Sequence, residues 1–220
     1  MQIFMYNLSY MDTLAQLFGS AARVKIMRLF LFNPGTPFTV AAVAQKSGAS
    51  KAAAKKECAV LAKAGMILPK SFFETAVQKK KGKLVEKRMR LKGFVLKDSF
   101  PYAAALEKLL GKSRALEGSV LLRDLAKIGA LKLVITSGIF LDEPASRLDL
   151  LVVGDNLKRT ILGNIIRVLE AEIGRELYYA CFDTADFRYR LSMYDKLVRD
   201  VLDYPHQILL DKSFGFAPKK

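Results

Sequence analysis

Between residues 39 and 96 the hydrophobic period of the chain changes once, and that change restricts the fold more than any other feature. Thr39 is a helix-capping residue, and the segment after it, Val40 to Ser47, sets Val40, Val43 and Ala44 on one face. Gly48-Ala49 reads as a tight turn and Ser50 as a second cap. Lys51 to Ala64 then reads as a longer helix, closed by Gly65, where a left-handed residue is favoured. On this helix Ala54, Cys58 and Leu61 form the inward stripe, and Lys51, Ala52, Lys55 and Lys56 lie opposite. From Met66 the pattern turns β-competent. Residues 66–77 and 84–96 flank Lys79-Lys80-Lys81-Gly82-Lys83, in which Gly82 supplies the positive φ of a tight hairpin turn. Upstream, residues 12–32 carry Leu14, Leu17, Val24, Met27 and Leu31 at helical spacing, with a break at Gly19-Ser20 and a stop at Asn33-Pro34-Gly35.

Helices followed by a long hairpin are the order of a winged helix, with a helix–turn–helix at its centre. Charge agrees with that order. Residues 1–110 hold 19 Lys and Arg against 6 Asp and Glu, so +13 of the chain's +15 lies in this half. Such a surface suits a polyanion, and cations on a helix and a following hairpin suit the phosphates of duplex DNA. The expected DNA-binding set is Ser50, Lys51, Ala52, Lys55 and Lys56 on the helix, with Lys79, Lys80, Lys81, Lys83 and Arg88 on the hairpin and Lys87 beside them. Small side chains at Ala52 and Ala53 let the helix backbone approach a groove closely. A solvated lysine face is the plain alternative, since lysine is a good helix former. The helix carries lysines and alanines in place of the Arg, Asn or Gln that pair bidentately with bases, so no operator sequence follows.

The run LFGSAARVKIMRLFLFNPGTPFTVAAVAQKSGASKAAAKKECAVLAKAGMI resembles the winged helix of arsenical-repressor-like bacterial transcriptional regulators. The resemblance rests on the LFGS-x-AR opening, the RLFLFNP helix exit, the VAAVAQKSGAS turn and the LAKAGMI close, and it covers about residues 14–96. It implies a DNA-binding regulator that pairs as a homodimer to read two half-sites. The chain has no Cys-x-Cys and no His-rich cluster, so metal sensing is not implied, and His206 is expected to be structural.

The second half is read as a mixed α/β unit, which makes the whole chain α+β. The expected division is 1–97 for the DNA-binding domain, 98–112 for a linker or the first turn of a helix, and 113–220 for the second domain. Within the last, helices are expected over 115–128, 157–173 and 184–202. Strands are expected over 131–136, 147–153 and 176–182, with 208–210 as a last strand or docking tail. The unalternating Leu150-Leu151-Val152-Val153 marks a strand buried on both faces.

The stretch LVITSGIFLDEPASRLDLLVVGD resembles the minimal prokaryotic form of the nucleotidyltransferase superfamily. In that family a strand ends in a Gly/Ser turn, here Ser137-Gly138, and a later strand carries two aspartates two residues apart that hold magnesium beside a nucleoside triphosphate. Here Asp149 stands at the second position and Arg147 at the first, and the third acid, which belongs near Tyr178, is missing there, Glu176 falling two residues early. The resemblance therefore implies a degenerate site of Ser137, Gly138, Arg147 and Asp149, with Arg147 expected to pair with Asp149 on a shared strand face. No catalytic residue, cofactor or metal is expected, and the unit is left a role in regulation or assembly, with a nucleotide or protein as its possible ligand. The alternative is an active, toxin-like nucleotidyltransferase acting on protein or RNA. Cys58 and Cys181 are too few for a disulfide framework, and no apolar run approaches the ~20 residues of a membrane span, so a cytoplasmic protein without a membrane partner is expected.

Overall fold

The computed structural model describes residues 13–80, 83–111, 113–143 and 146–216, with side chains 76–87 and 114 outside the description. It is mixed α and β and divides into two compact units, 1–112 with 170–175 and 113–169 with 176–220.

The first unit opens with α1 (Thr13–Leu17) and α2 (Ala21–Leu31), separated at Gly19, whose φ is 73°. Ser20 caps α2 by accepting from the Arg23 amide. Val24, Ile26, Met27, Leu29, Phe30 and Leu31 are all buried, so α2 is the spine of the core. α3 (Val40–Ser47) begins at the Thr39 cap and stops at Gly48, which takes φ 65°. α4 (Lys51–Lys63) begins two residues later at the Ser50 cap. Its inner stripe of Ala54, Cys58 and Leu61 packs beside Val43 and Ala44 in one cluster.

β1 (Ile67–Lys80) and β2 (Lys83–Leu96) form an antiparallel hairpin in continuous register from Ile67–Leu96 to Lys80–Lys83. Its base enters the core through Met66, Ile67 and Leu96. A second tie fixes its direction. Phe38 and Phe94 exchange backbone hydrogen bonds of 2.9 and 2.8 Å just before α3. The two backbones come so close that a Cβ on Gly93 would lie 2.2 Å from the Phe38 carbonyl oxygen.

Residues 98–112, expected as a linker or the first turn of a helix, carry α5 (Ala103–Gly111), and Leu110 of α5 is buried in the first unit's core. The Leu110 carbonyl also has a buried partner. The guanidinium of Arg28, itself 2% exposed, donates to the Leu110 carbonyl and, in the same unit, to that of Glu172.

The second unit holds a four-stranded sheet in the order β5-β4-β3-β6. β3 (Ala130–Thr136) runs antiparallel to β4 (Leu150–Asp155) and to β6 (Gln207–Asp211). β4 runs parallel to β5 (Tyr179–Phe182), and the crossover between them is α7 (Arg159–Ile173). Leu150 to Val153 are buried, as their lack of alternation predicts.

Several boundaries differ from the sequence reading. The helix expected over 115–128 is α6 (Gly118–Leu125) between two 3-10 turns. β4 opens at Leu150, three residues after Arg147. The helix expected over 184–202 is α8 (Thr184–Ser192) and α9 (Lys196–Asp203), split where Tyr194 takes φ 53° and Asp195 caps α9 through the amides of Leu197 and Val198.

Two tests follow. Gly93→Ala is expected to destabilise the protein by about 2 kcal/mol, whereas Gly163→Ala in α7, where a Cβ meets nothing within 4 Å, is expected to stabilise it by up to ~1 kcal/mol; urea unfolding reads both. Burial pushes the Cys58 thiol from 9.0 up to about 11, and the neighbouring Glu57 carboxylate adds to the rise. The folded state thus favours the neutral thiol. This contribution is complete below pH 9 and is lost as pH rises through about 11. Unfolding midpoints at pH 8 and 10.5 should show it, and Cys58→Ala should remove that part of the decline.

Candidate nucleic-acid interface

The cap at Ser50 and the stripe beneath it decide which face α4 shows to solvent. With Ala54, Cys58 and Leu61 fully or nearly buried, the helical period leaves Lys51, Ala52, Lys55 and Lys56 exposed. Ser50 is exposed as well, and its hydroxyl accepts from the Ala53 amide at 3.2 Å, so it starts the helix. One inward residue is charged. Glu57, 5% exposed, accepts from Arg23 Nε at 2.7 Å, and Arg23 Nη1 donates to the Phe18 carbonyl at 2.7 Å. This pair locks α4 onto the α1–α2 junction beneath the lysine face. An acid three residues after Ala54 was a legible sign of a charge on the core stripe, but nothing local named its partner.

On the hairpin, Lys81 and Gly82 lie outside the described residues, as do the side chains of Lys79, Lys80, Lys83 and Lys87. The backbone pairs Lys80 with Lys83 and Lys79 with Leu84. Arg88 is exposed, with its guanidinium 4.4 Å from the centre of the Phe73 ring. Register also sets out the residues of the stem below the tip. Arg90 lies opposite Phe73 and Lys92 opposite Ser71, and all four are exposed. The signal was present, since Arg88, Arg90 and Lys92 alternate at the period of one strand face.

The second unit was expected to hold a degenerate metal site, and its geometry is that of a structural joint. Asp149, 9% exposed, accepts from the Ile139 amide at 2.9 Å through Oδ1 and from the Tyr178 amide at 2.8 Å through Oδ2. It ties the turn after β3 to the segment before β5. Gly138, at φ 53°, lies against it so closely that a Cβ there would sit 2.2 Å from Oδ1. Ser137 Oγ is 2.9 Å from Ser146 Oγ and donates to the Pro205 carbonyl at 2.6 Å.

The expected Arg147–Asp149 pair is not formed. Arg147 precedes β4, and its Nε lies 3.1 Å from Asp200 Oδ2 of α9, at the surface. Asp149 turns instead to two backbone amides, in part-buried hydrogen bonds. A magnesium site of the nucleotidyltransferase kind does not fit this donor set, because Arg147 stands where its first acid would and Asp149 is the one acid of the expected set that is present. Among the described residues no three His, Cys, Asp or Glu side chains are grouped to hold a metal ion. Nor, among them, is any helix long and apolar enough to cross a membrane.

No family model, curated protein or solved structure matches the chain.

Asp149→Ala is expected to destabilise the fold by about 2–3 kcal/mol, through loss of two charge-assisted hydrogen bonds. Asp149→Asn, which keeps one acceptor, should lose less. Chemical denaturation of both variants checks this, and wild-type stability of the alanine variant would exclude the joint.

Proposed function

We propose that this protein is a DNA-binding transcriptional regulator of the cytoplasm, whose first unit is a winged helix that grips duplex DNA. The observation that carries the reading is the exposed Lys51, Ala52, Lys55 and Lys56 face of α4. It lies on the second of two helices joined by a tight turn, directly ahead of a basic hairpin. In this reading α4 enters the major groove, its lysines reach the phosphates on the groove rims, and the lysines of the hairpin tip clamp the backbone beyond. Two copies pair to read two half-sites.

The second unit, in this reading, is a nucleotidyltransferase-like module that performs no transfer and serves regulation or assembly, with a nucleotide or protein as its ligand. The two amide bonds of Asp149 and the turning of Arg147 toward Asp200 support it over the active, toxin-like enzyme.

Binding of the full chain to random-sequence duplex, followed by sequencing of retained fragments, tests duplex recognition and sequence preference together. In anisotropy titrations across a salt series, the pairs Lys55→Ala/Lys56→Ala and Lys80→Ala/Lys81→Ala should each flatten the log–log salt slope by roughly one unit per lost phosphate contact. Unchanged slopes would remove α4 and the hairpin tip from the interface.

A further inference from the structure

The stem of the hairpin carries a second feature that duplex gripping does not require. Paired residues of an antiparallel ladder share a face, so the register groups Ser71 with Lys92, Phe73 with Arg90 and Thr75 with Arg88 on one side of the ribbon. All six are exposed. The set holds three cations, two short side chains with hydroxyls and one aromatic ring, and no acid. Glu74 falls on the reverse face, paired with Met89. The reverse face also carries Phe72, Met89 and Leu91, each half-buried. The two sides of the stem thus differ in chemistry.

Phe73 is 57% exposed, in the middle of this cationic row. An aromatic so placed adds little to the core. Phosphate contacts on a duplex need cations alone, and a groove presents only the edges of bases. A π-face is used when a base is out of its stack and offers its own. The Arg88 guanidinium lies over the Phe73 ring, 4.4 Å from its centre, so the ring already serves as a surface for a planar, delocalised group of the kind a base also is. Arg90 and Lys92 continue along the strand at the two-residue repeat, where the backbone of an extended strand of nucleic acid would run. Aromatic stacking interleaved with cations is the means by which proteins hold single strands with little regard for sequence.

We infer that the stem face formed by Phe73, Arg88, Arg90 and Lys92 binds unpaired nucleotides, so that the protein engages nucleic acid in which a duplex adjoins a single-stranded stretch. The inference rests on the proposed duplex-binding role of α4 for its duplex half only.

The experiment uses the full chain and three probes in anisotropy titrations at one salt concentration: a blunt 30-bp duplex, the same duplex with a 12-nucleotide single-stranded tail, and the tail sequence alone. The tailed duplex is expected to bind about ten-fold more tightly than the blunt one. Phe73→Ala, at a surface position that leaves the core intact, is expected to remove that gain while changing blunt-duplex affinity less than two-fold, and Phe73→Tyr should restore it. Lys55→Ala/Lys56→Ala should weaken the blunt duplex and leave the isolated strand unaffected. Equal affinity for tailed and blunt probes overturns the inference and leaves the duplex reading standing. So does an equal loss on both probes in Phe73→Ala, which would make the ribbon a duplex contact. Binding of strand without blunt duplex supports the inference and overturns the duplex reading. Absence of binding to all three overturns both.

Discussion

Two backbone hydrogen bonds between Phe38 and Phe94 hold the helix pair and the hairpin of the first unit in one arrangement. A two-stranded ribbon is marginal by itself, and this one, with 14 residues in each strand, extends about 45 Å from its base. Its base is anchored by apolar burial, through Met66, Ile67 and Leu96. The link at Phe38 is made one residue ahead of the cap that starts α3, so the hairpin and the helix pair share a backbone junction. Gly93 is what permits it, because any side chain there would meet the Phe38 carbonyl. Beneath the exposed lysines, the Arg23–Glu57 pair does for α4 what this junction does for the hairpin. The cationic surfaces are therefore displayed by elements whose directions are set from below.

The parts of this arrangement governed by local chemistry were legible in the sequence. Thr39 and Ser50 accept from the third amide of the helices they start, and Gly48 and Gly65 take left-handed backbone, as their residue types indicate. The inner stripe of α4 follows from its period, and so does the exposure of its lysines. Unalternating Leu150 to Val153 is buried in the middle of its sheet for the same kind of reason. What stayed hidden depends on pairs far apart along the chain. Nothing near Glu57 names Arg23, and nothing near Phe38 names Phe94. Arg88 reaches the Phe73 ring only because the hairpin register brings the two strands together diagonally. The break between α8 and α9 is an intermediate case: Asp195 is a recognisable cap, but the left-handed Tyr194 that makes room for it is no residue's first preference.

In the second unit the sequence pattern and the atomic arrangement part company at one side chain. Asp149 stands where a metal-binding acid would in the proposed resemblance, yet it is held by amides on both oxygens. The pairing expected with Arg147 rested on a shared strand face, and that premise fails because the strand has not yet begun at these positions. Local geometry thus reassigns both residues, Arg147 to an ion pair with Asp200 and Asp149 to an internal tether.

That tether makes two loops answer to one side chain. Any displacement of the Asp149 carboxylate disturbs Ile139 and Tyr178 at once, and Gly138, against which it lies, leaves it no slack. The turn after β3 and the approach to β5 would come undone together.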